Sequence, residues 1–226
     1  MNLRVSGGVA VCVAAALVAS APAVAQAPAA ERSVPIDKVF PYYDRYLKLP
    51  AADRTRWALS YRIDAGGKPA TGVKLAYRDA GGARTPITVA PDGRMEPLPT
   101  LAQFAAGTTV AVSAPPETKF GVSLDIVPRM APAARMDARE LAASADQATK
   151  GAKKAAGLIG LAVPRFERVV FPGATGGTVE TPGGARPLPT LGANRTPYFE
   201  PKAWPGATAV AFETAPTRML LAPAGK

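Results

Sequence analysis

Residues 91–101 read PDGRMEPLPTL, and residues 182–191 read PGGARPLPTL. The shared phrase is followed each time by the same kind of text. Pro97-Leu98-Pro99-Thr100-Leu101 leads to Gly107 and the run Thr108–Val112, then to Ala114-Pro115. Pro187-Leu188-Pro189-Thr190-Leu191 leads to Gly206 and the run Ala207–Phe212, then to Ala215-Pro216. Order and spacing agree apart from one insertion. Five residues (102–106) precede Gly107, and fourteen (192–205) precede Gly206. This is the signature of a degenerate duplication, with chance recurrence of proline-rich text as the alternative. Pro97 and Pro99 each lack a backbone donor and hold the segment extended, which suits a sheet edge or crossover. Leu98 between them can point inward as a peg. Asp92-Gly93 and Gly183-Gly184 are turn pairs feeding the phrase.

Working outward, the flanking text has period two. Trp57, Leu59, Tyr61 and Ile63 alternate with polar residues in RWALSYRID (56–64), and Val73, Leu75 and Tyr77 do so in VKLAYRD (73–79). Further short strands are expected over 85–90, 108–114, 119–127, 165–171, 177–181, 207–214 and 217–221, about ten residues apart, which is the cadence of a β-sandwich or small barrel. Two segments read as helix. In IDKVFPYYDRYLKL (36–49), Tyr43, Tyr46 and Leu47 share a face, predicting a short helix over 42–48. The second begins at Asp137, with Glu140 three residues on as in a capping box. Leu141, Ala145, Ala148, Ala152, Ala155 and Ile159 then recur at helical spacing. Lys150, Lys153 and Lys154 complement the negative end of the helix, and Gly157 is a candidate C-terminal cap. The expected fold is mainly β, with two related Ig-like β-sandwich modules (36–130 and 164–222) joined by one amphipathic α-helix (137–156, within a connector 136–158).

Residues 67–75, GKPATGVKL, followed by Pro91-Asp92-Gly93-Arg94 and Leu98-Pro99, make the first module resemble carboxypeptidase-regulatory or transthyretin-like β-sandwich domains. The resemblance covers about residues 64–127 and rests on turn chemistry. It implies a seven-stranded Ig-like sandwich that is usually non-catalytic. The second module lacks the Gly-Lys-Pro entry. The whole chain is also similar to exported proteobacterial proteins, a likeness that implies no particular activity.

The N-terminus reads as an export signal. Arg4 precedes the apolar run 9–21, and Ala23-Val24-Ala25 is a small-x-small cleavage pattern, so residues 1–25 are expected to leave as a signal peptide and 26–35 to form an Ala/Pro-rich flexible tether. Cys12 lacks a lipobox, because the branched Val11 precedes it and most of the apolar run follows it. Cleavage after Ala25 would remove this only cysteine, leaving no disulfide in a periplasmic or secreted chain.

The chain has no histidine. A Ser-His-Asp or Cys-His arrangement and the usual zinc sites are therefore excluded. The remaining serines, at 33, 60, 113, 123 and 144, stand in no Ser-x-x-Lys, and no phosphate-cradling glycine motif occurs. The expectation is a non-enzyme with no cofactor and no metal.

The net charge is +10 before processing, and Arg4 leaves with the signal. Such a balance favours anionic partners: envelope glycans, lipids at a membrane surface to which the chain is peripheral at most, or an envelope protein, but not nucleic acid. Scattered arginine in an Ala/Pro/Gly-rich chain is the plainer explanation of the charge. The candidate ligand loop is the insertion GANRTPYFEPKAWP, with Arg195, Tyr198, Phe199, Lys202 and Trp204. Aromatic and cationic residues on a long loop suit a glycan or peptide reader. The alternative is that the rings fold back over the sandwich. A second aromatic patch, Tyr42, Tyr43, Tyr46 and Trp57, reads more simply as a helix packed on strand 56–64. The function expected is binding or structural, with an accessory subunit docking through a β edge as the alternative and an enzyme third.

Overall fold

The structure, a computed structural model, describes residues 30–70, 72–115, 117–157 and 163–224. The expected signal peptide, Cys12, the first part of the tether and Ile159 of the helical series lie outside the described residues.

Among the described residues sixteen strands form four antiparallel sheets. In the first half β1 (Ala30–Pro35), β4 (Lys74–Arg78), β5 (Arg84–Val89), β6 (Met95–Glu96) and β7 (Thr109–Ala114) make one sheet in the order β1-β7-β4-β5-β6. Opposite it stand β2 (Trp57–Ala65), β3 (Lys68–Pro69) and β8 (Phe120–Pro128), in the order β3-β2-β8. Alternation along β2 places Trp57, Leu59, Tyr61 and Ile63 in the core, while the residues between them stay half-buried. Phe40 joins the layers, its ring 5.2 Å from Tyr61 on β2 and 6.0 Å from Tyr77 on β4.

The second half holds β9 (Arg135–Asp137), β10 (Phe166–Val170), β11 (Thr178–Thr181), β12 (Gly184–Pro187), β13 (Thr190–Leu191), β14 (Thr196–Phe199), β15 (Ala209–Ala211) and β16 (Leu220–Pro223). Its sheets run β12-β11-β15-β9 and β13-β14-β10-β16. The order β9-β15-β11-β12 repeats β1-β7-β4-β5 strand for strand, and β10·β16 repeats β2·β8. Register repeats as well. Val34 faces Val110, which faces Tyr77. Met136 faces Val210, which faces Val179. Trp57 opens β2 opposite Pro128, and Phe166 opens β10 opposite Pro223. The duplication suggested by the repeated phrase is therefore present in the topology.

Among the described residues four α-helices accompany the sheets: α1 (Ile36–Val39), α2 (Tyr43–Lys48), α3 (Leu101–Ala105) and α4 (Ala138–Ala156). α4 starts one residue later than the expected 137 because Asp137 is its cap, accepting from the N–H groups of Arg139 (2.7 Å) and Glu140 (3.1 Å). Glu140 does not complete a capping box; its carboxylate binds Arg56. The buried stripe of α4 is small (Ala138, Ser144, Ala145, Ala148, Gly151, with Leu141), so the helix approaches its neighbours closely.

Three features differ from the sequence reading. Ala30–Pro35, placed in the tether, is a strand paired along its whole length with β7. Its sequence, AERSVP, carries no strand periodicity, but a long-range partner supplies its hydrogen bonds. The second repeat also begins before the helix, since β9 already pairs with β15. α4 joins the modules in sequence, yet within the second repeat it occupies the place of α1 and α2 in the first. Finally, the two PLPTL phrases diverge after a shared beginning. Leu98 packs half-buried on the core and Leu188 is buried, as pegs. Thr100 then caps α3 in a capping box with Gln103, whereas Thr190 enters β13.

One continuous core runs through both repeats and α4. β16 lies close along β8, although the two belong to different sheets. Asp125 on β8 receives Arg62 at 2.7 Å and, across the repeats, Arg218 at 3.9 Å. Burial, followed by the nearby Arg62 charge, holds Arg218 below the usual arginine value.

Candidate functional site

The insertion 192–205 does not present its five candidate residues on one face. Thr196–Phe199 form β14, which pairs with β10 at Val169↔Phe199 and Val170↔Tyr198. Strand alternation sends Phe199 into the core, at 1% exposure, so it is not available to a ligand. Tyr198 points the other way and is half-buried, with the Arg168 guanidinium 4.8 Å from its ring centre. Arg195 is exposed in the turn before β14, with left-handed backbone (φ 48°). Lys202 is exposed and pairs with Glu167, whose carboxyl that contact holds below its ordinary value. Trp204 is half-buried against the core, and its indole Nε1 is enclosed without a hydrogen-bond partner among the described residues. The rings thus serve mainly to close the second sandwich, while Arg195 and Lys202 stay exposed, Lys202 in its pair with Glu167.

Lys202 does reach a larger feature. It lines a groove of about 480 Å³ together with Lys150 and Lys153 of α4 and Arg165 before β10. Asp146 and Glu167 are its acids, and Glu167 is engaged by Lys202. Lys150, Lys153 and Arg165 form no salt bridge among the described residues. Four cations against two carboxylates make the groove electropositive. In the sequence Lys150 and Lys153 complement the negative end of the helix and could also face an anionic membrane surface. Their spacing on one face was visible, but their meeting with Arg165 and Lys202 is a product of the tertiary fold.

The other side of α4 is different in kind. A slot of about 320 Å³ lies between α2, β2, β8 and the C-terminal half of α4. The second aromatic patch borders it. Most of that patch is interior, as the packed-helix alternative required: Tyr46 meets Trp57 edge-on at 4.9 Å, Tyr43 meets Tyr61 at 5.7 Å, and the Tyr46 hydroxyl donates to the Trp57 carbonyl. Tyr42 alone stands out, 60% exposed.

Among the described residues no group of three or more His, Cys, Asp or Glu side chains could hold a metal, and no helix is long and apolar enough to cross a membrane. The most shifted titratable groups are the phenols of Tyr61 and Tyr77, raised by burial. Both donate to backbone carbonyls, of Pro41 and Pro97, as structural hydroxyls do. Comparison with known proteins gave no match to a family model, to a curated protein or to a solved structure.

Proposed function

We propose that this chain is a non-catalytic binding protein of the cell envelope, exported by its N-terminal signal, whose partner is an anionic envelope component, glycan or lipid headgroup. The observation that carries the reading is the groove of Lys150, Lys153, Arg165 and Lys202, in which three of the four cations lack a carboxylate partner among the described residues. Cations left unpaired on rigid elements keep their attraction for an external anion. The absence of histidine from the sequence supports a non-catalytic role, and so does the resemblance of GKPATGVKL and its turns to usually non-catalytic Ig-like sandwiches.

The test is co-sedimentation of the purified protein with isolated cell-wall sacculi, with phosphatidylglycerol vesicles and with phosphatidylcholine vesicles, at low and moderate salt. Binding to one anionic target, weakened at least tenfold in Lys150→Gln/Lys153→Gln/Arg165→Gln, is expected. Equal binding to the neutral vesicles, or binding that the triple variant leaves intact, would overturn it.

The accessory-subunit reading is favoured by a different observation. β12 ends its sheet and is exposed at all four positions, leaving its outer edge open to an added strand. Arg186 and Pro187 on that edge also limit indiscriminate pairing.

A further inference from the structure

We infer that the slot beside α4 binds one medium-chain fatty acid, its hydrocarbon chain inside and its carboxylate on Arg45. This site is separate from the basic groove and does not depend on it.

The lining is carbon on nearly every side. Trp57 and Leu59 come from β2, Leu124 and Ile126 from β8, Ala155 from α4, and Phe166 from β10. The helix contributes only alanines here (Ala152, Ala155, Ala156), and these short side chains leave the space open where leucine would fill it. The volume of about 320 Å³ suits roughly ten chain carbons, at the ~30 Å³ that a water takes in the liquid.

The rim supplies one charge. Arg45 is the only ionic side chain among the lining residues, it is exposed, and it has no carboxylate partner among the described residues. Its guanidinium lies 6.0 Å from the Tyr42 ring centre. Tyr42 carries a backbone conformation that tyrosine seldom adopts, φ 67°, just before α2. Strain of this kind concentrates at ligand sites, and here it holds a ring outward at the mouth. A single guanidinium fork matches a carboxylate in geometry and a monoanion in charge, which favours a fatty acid over a phosphomonoester.

The experiment is calorimetric titration of the purified protein with monomeric fatty acids of eight to sixteen carbons, below their micelle concentrations. Dodecanol, dodecyl phosphate and dodecyltrimethylammonium serve as comparators. One-to-one binding is expected, tightening roughly fourfold per methylene and levelling off near ten to twelve carbons. Arg45→Gln should weaken dodecanoate at least tenfold and leave dodecanol unchanged. Ala155→Leu should abolish binding while circular dichroism and melting temperature show the fold retained. Ala152→Leu serves as a second blocking variant if Ala155→Leu fails to fold. The inference is overturned by no saturable binding of dodecanoate, by no chain-length dependence, or by tighter binding of the phosphate or the ammonium compound. Self-association that dodecanoate fails to disperse would also overturn it, because the slot would then hold another copy of the chain.

Discussion

The indole of Trp57 lies directly over Gly151 of α4, so close that a Cβ on that glycine would stand 2.6 Å from Trp57 Cζ2. Trp57 cannot withdraw easily, because it is 1% exposed and its Nε1 donates to the Asp53 carbonyl at 2.8 Å. Two effects oppose each other in Gly151→Ala. Helix propensity gains about 1 kcal/mol, and overpacking costs about 1–3 kcal/mol. With a rigid ring as the neighbour, the clash prevails. The variant should be less stable by about 1 kcal/mol in urea unfolding; a stabilised variant would show that the helix can shift away from β2.

Phe199 and Arg195 sit in the same insertion and should behave oppositely. Phe199→Ala empties a core position and should cost about 3–5 kcal/mol. Arg195→Ala changes an exposed turn residue and should stay within about 0.5 kcal/mol. Thermal melts of the two variants settle whether the insertion is structural at its rings and free at its charge.

Asp125 fastens the repeats to each other. Its side chain is 15% exposed and faces two guanidinium groups, Arg62 and Arg218. Asp125→Asn leaves both cations partly buried without a counter-charge and should destabilise by about 2–3 kcal/mol. Arg218→Gln should cost far less, since it also relieves the repulsion with Arg62. Denaturant midpoints of the two single variants check the order; equal losses would mean that the longer contact carries as much as the shorter.

Alkaline pH should weaken the fold through its buried phenols. Tyr61 and Tyr77 have folded pKa values above their ordinary 10, caused first by burial and next by Tyr43. Unfolded tyrosines ionise near pH 10, so above that pH the unfolded chain loses protons that the native chain keeps. Stability is complete below pH 10 and falls as pH rises beyond it, by up to roughly 1.4 kcal/mol per pH unit for each phenol. Unfolding free energies between pH 9 and 11.5 should show this fall, and Tyr61→Phe should flatten it despite starting less stable for want of the Pro41 hydrogen bond.

Gly93 tests the turn that precedes the repeated phrase. Its φ is 86°, and a Cβ there would approach the Ile63 carbonyl oxygen to 2.7 Å. Gly93→Ala combines left-handed strain, roughly 1–2 kcal/mol, with a backbone clash, and its melting temperature should fall by several degrees. Gly66→Ala, at φ 61° with open space around it, should suffer the strain alone.

What could be read from the sequence followed local pattern. β2 was legible because Trp57, Leu59, Tyr61 and Ile63 alternate without interruption, and α4 because Asp137 caps a run of small apolar residues at helical spacing. α3 carried its own signal, Thr100-x-x-Gln103, hidden behind two prolines. β1 and β9 carried none. AERSVP and RMD have no periodicity, and only partners far along the chain make strands of them. The same division holds at the sites. Phe199 could have been assigned to the core from the alternation Pro197/Phe199, both buried. By contrast, no local pattern places Arg45 beside Leu124 or Lys150 beside Arg165, because the packing of α4 between the repeats does so.

The pairing of β1 with β7, and of β9 with β15, also sets a sequence of events in time. In each repeat the strand made first by the ribosome bonds to a strand near the end of that repeat, with the helical and hairpin segments between them. The hairpins β4–β5 and β11–β12 can close locally and early, whereas the opening strand waits until nearly the whole repeat is available, against a loop-closure entropy that only long-range contacts repay. A chain still being threaded from its N-terminus therefore shows its first strand unpaired, and each repeat locks in one late step, when that strand docks.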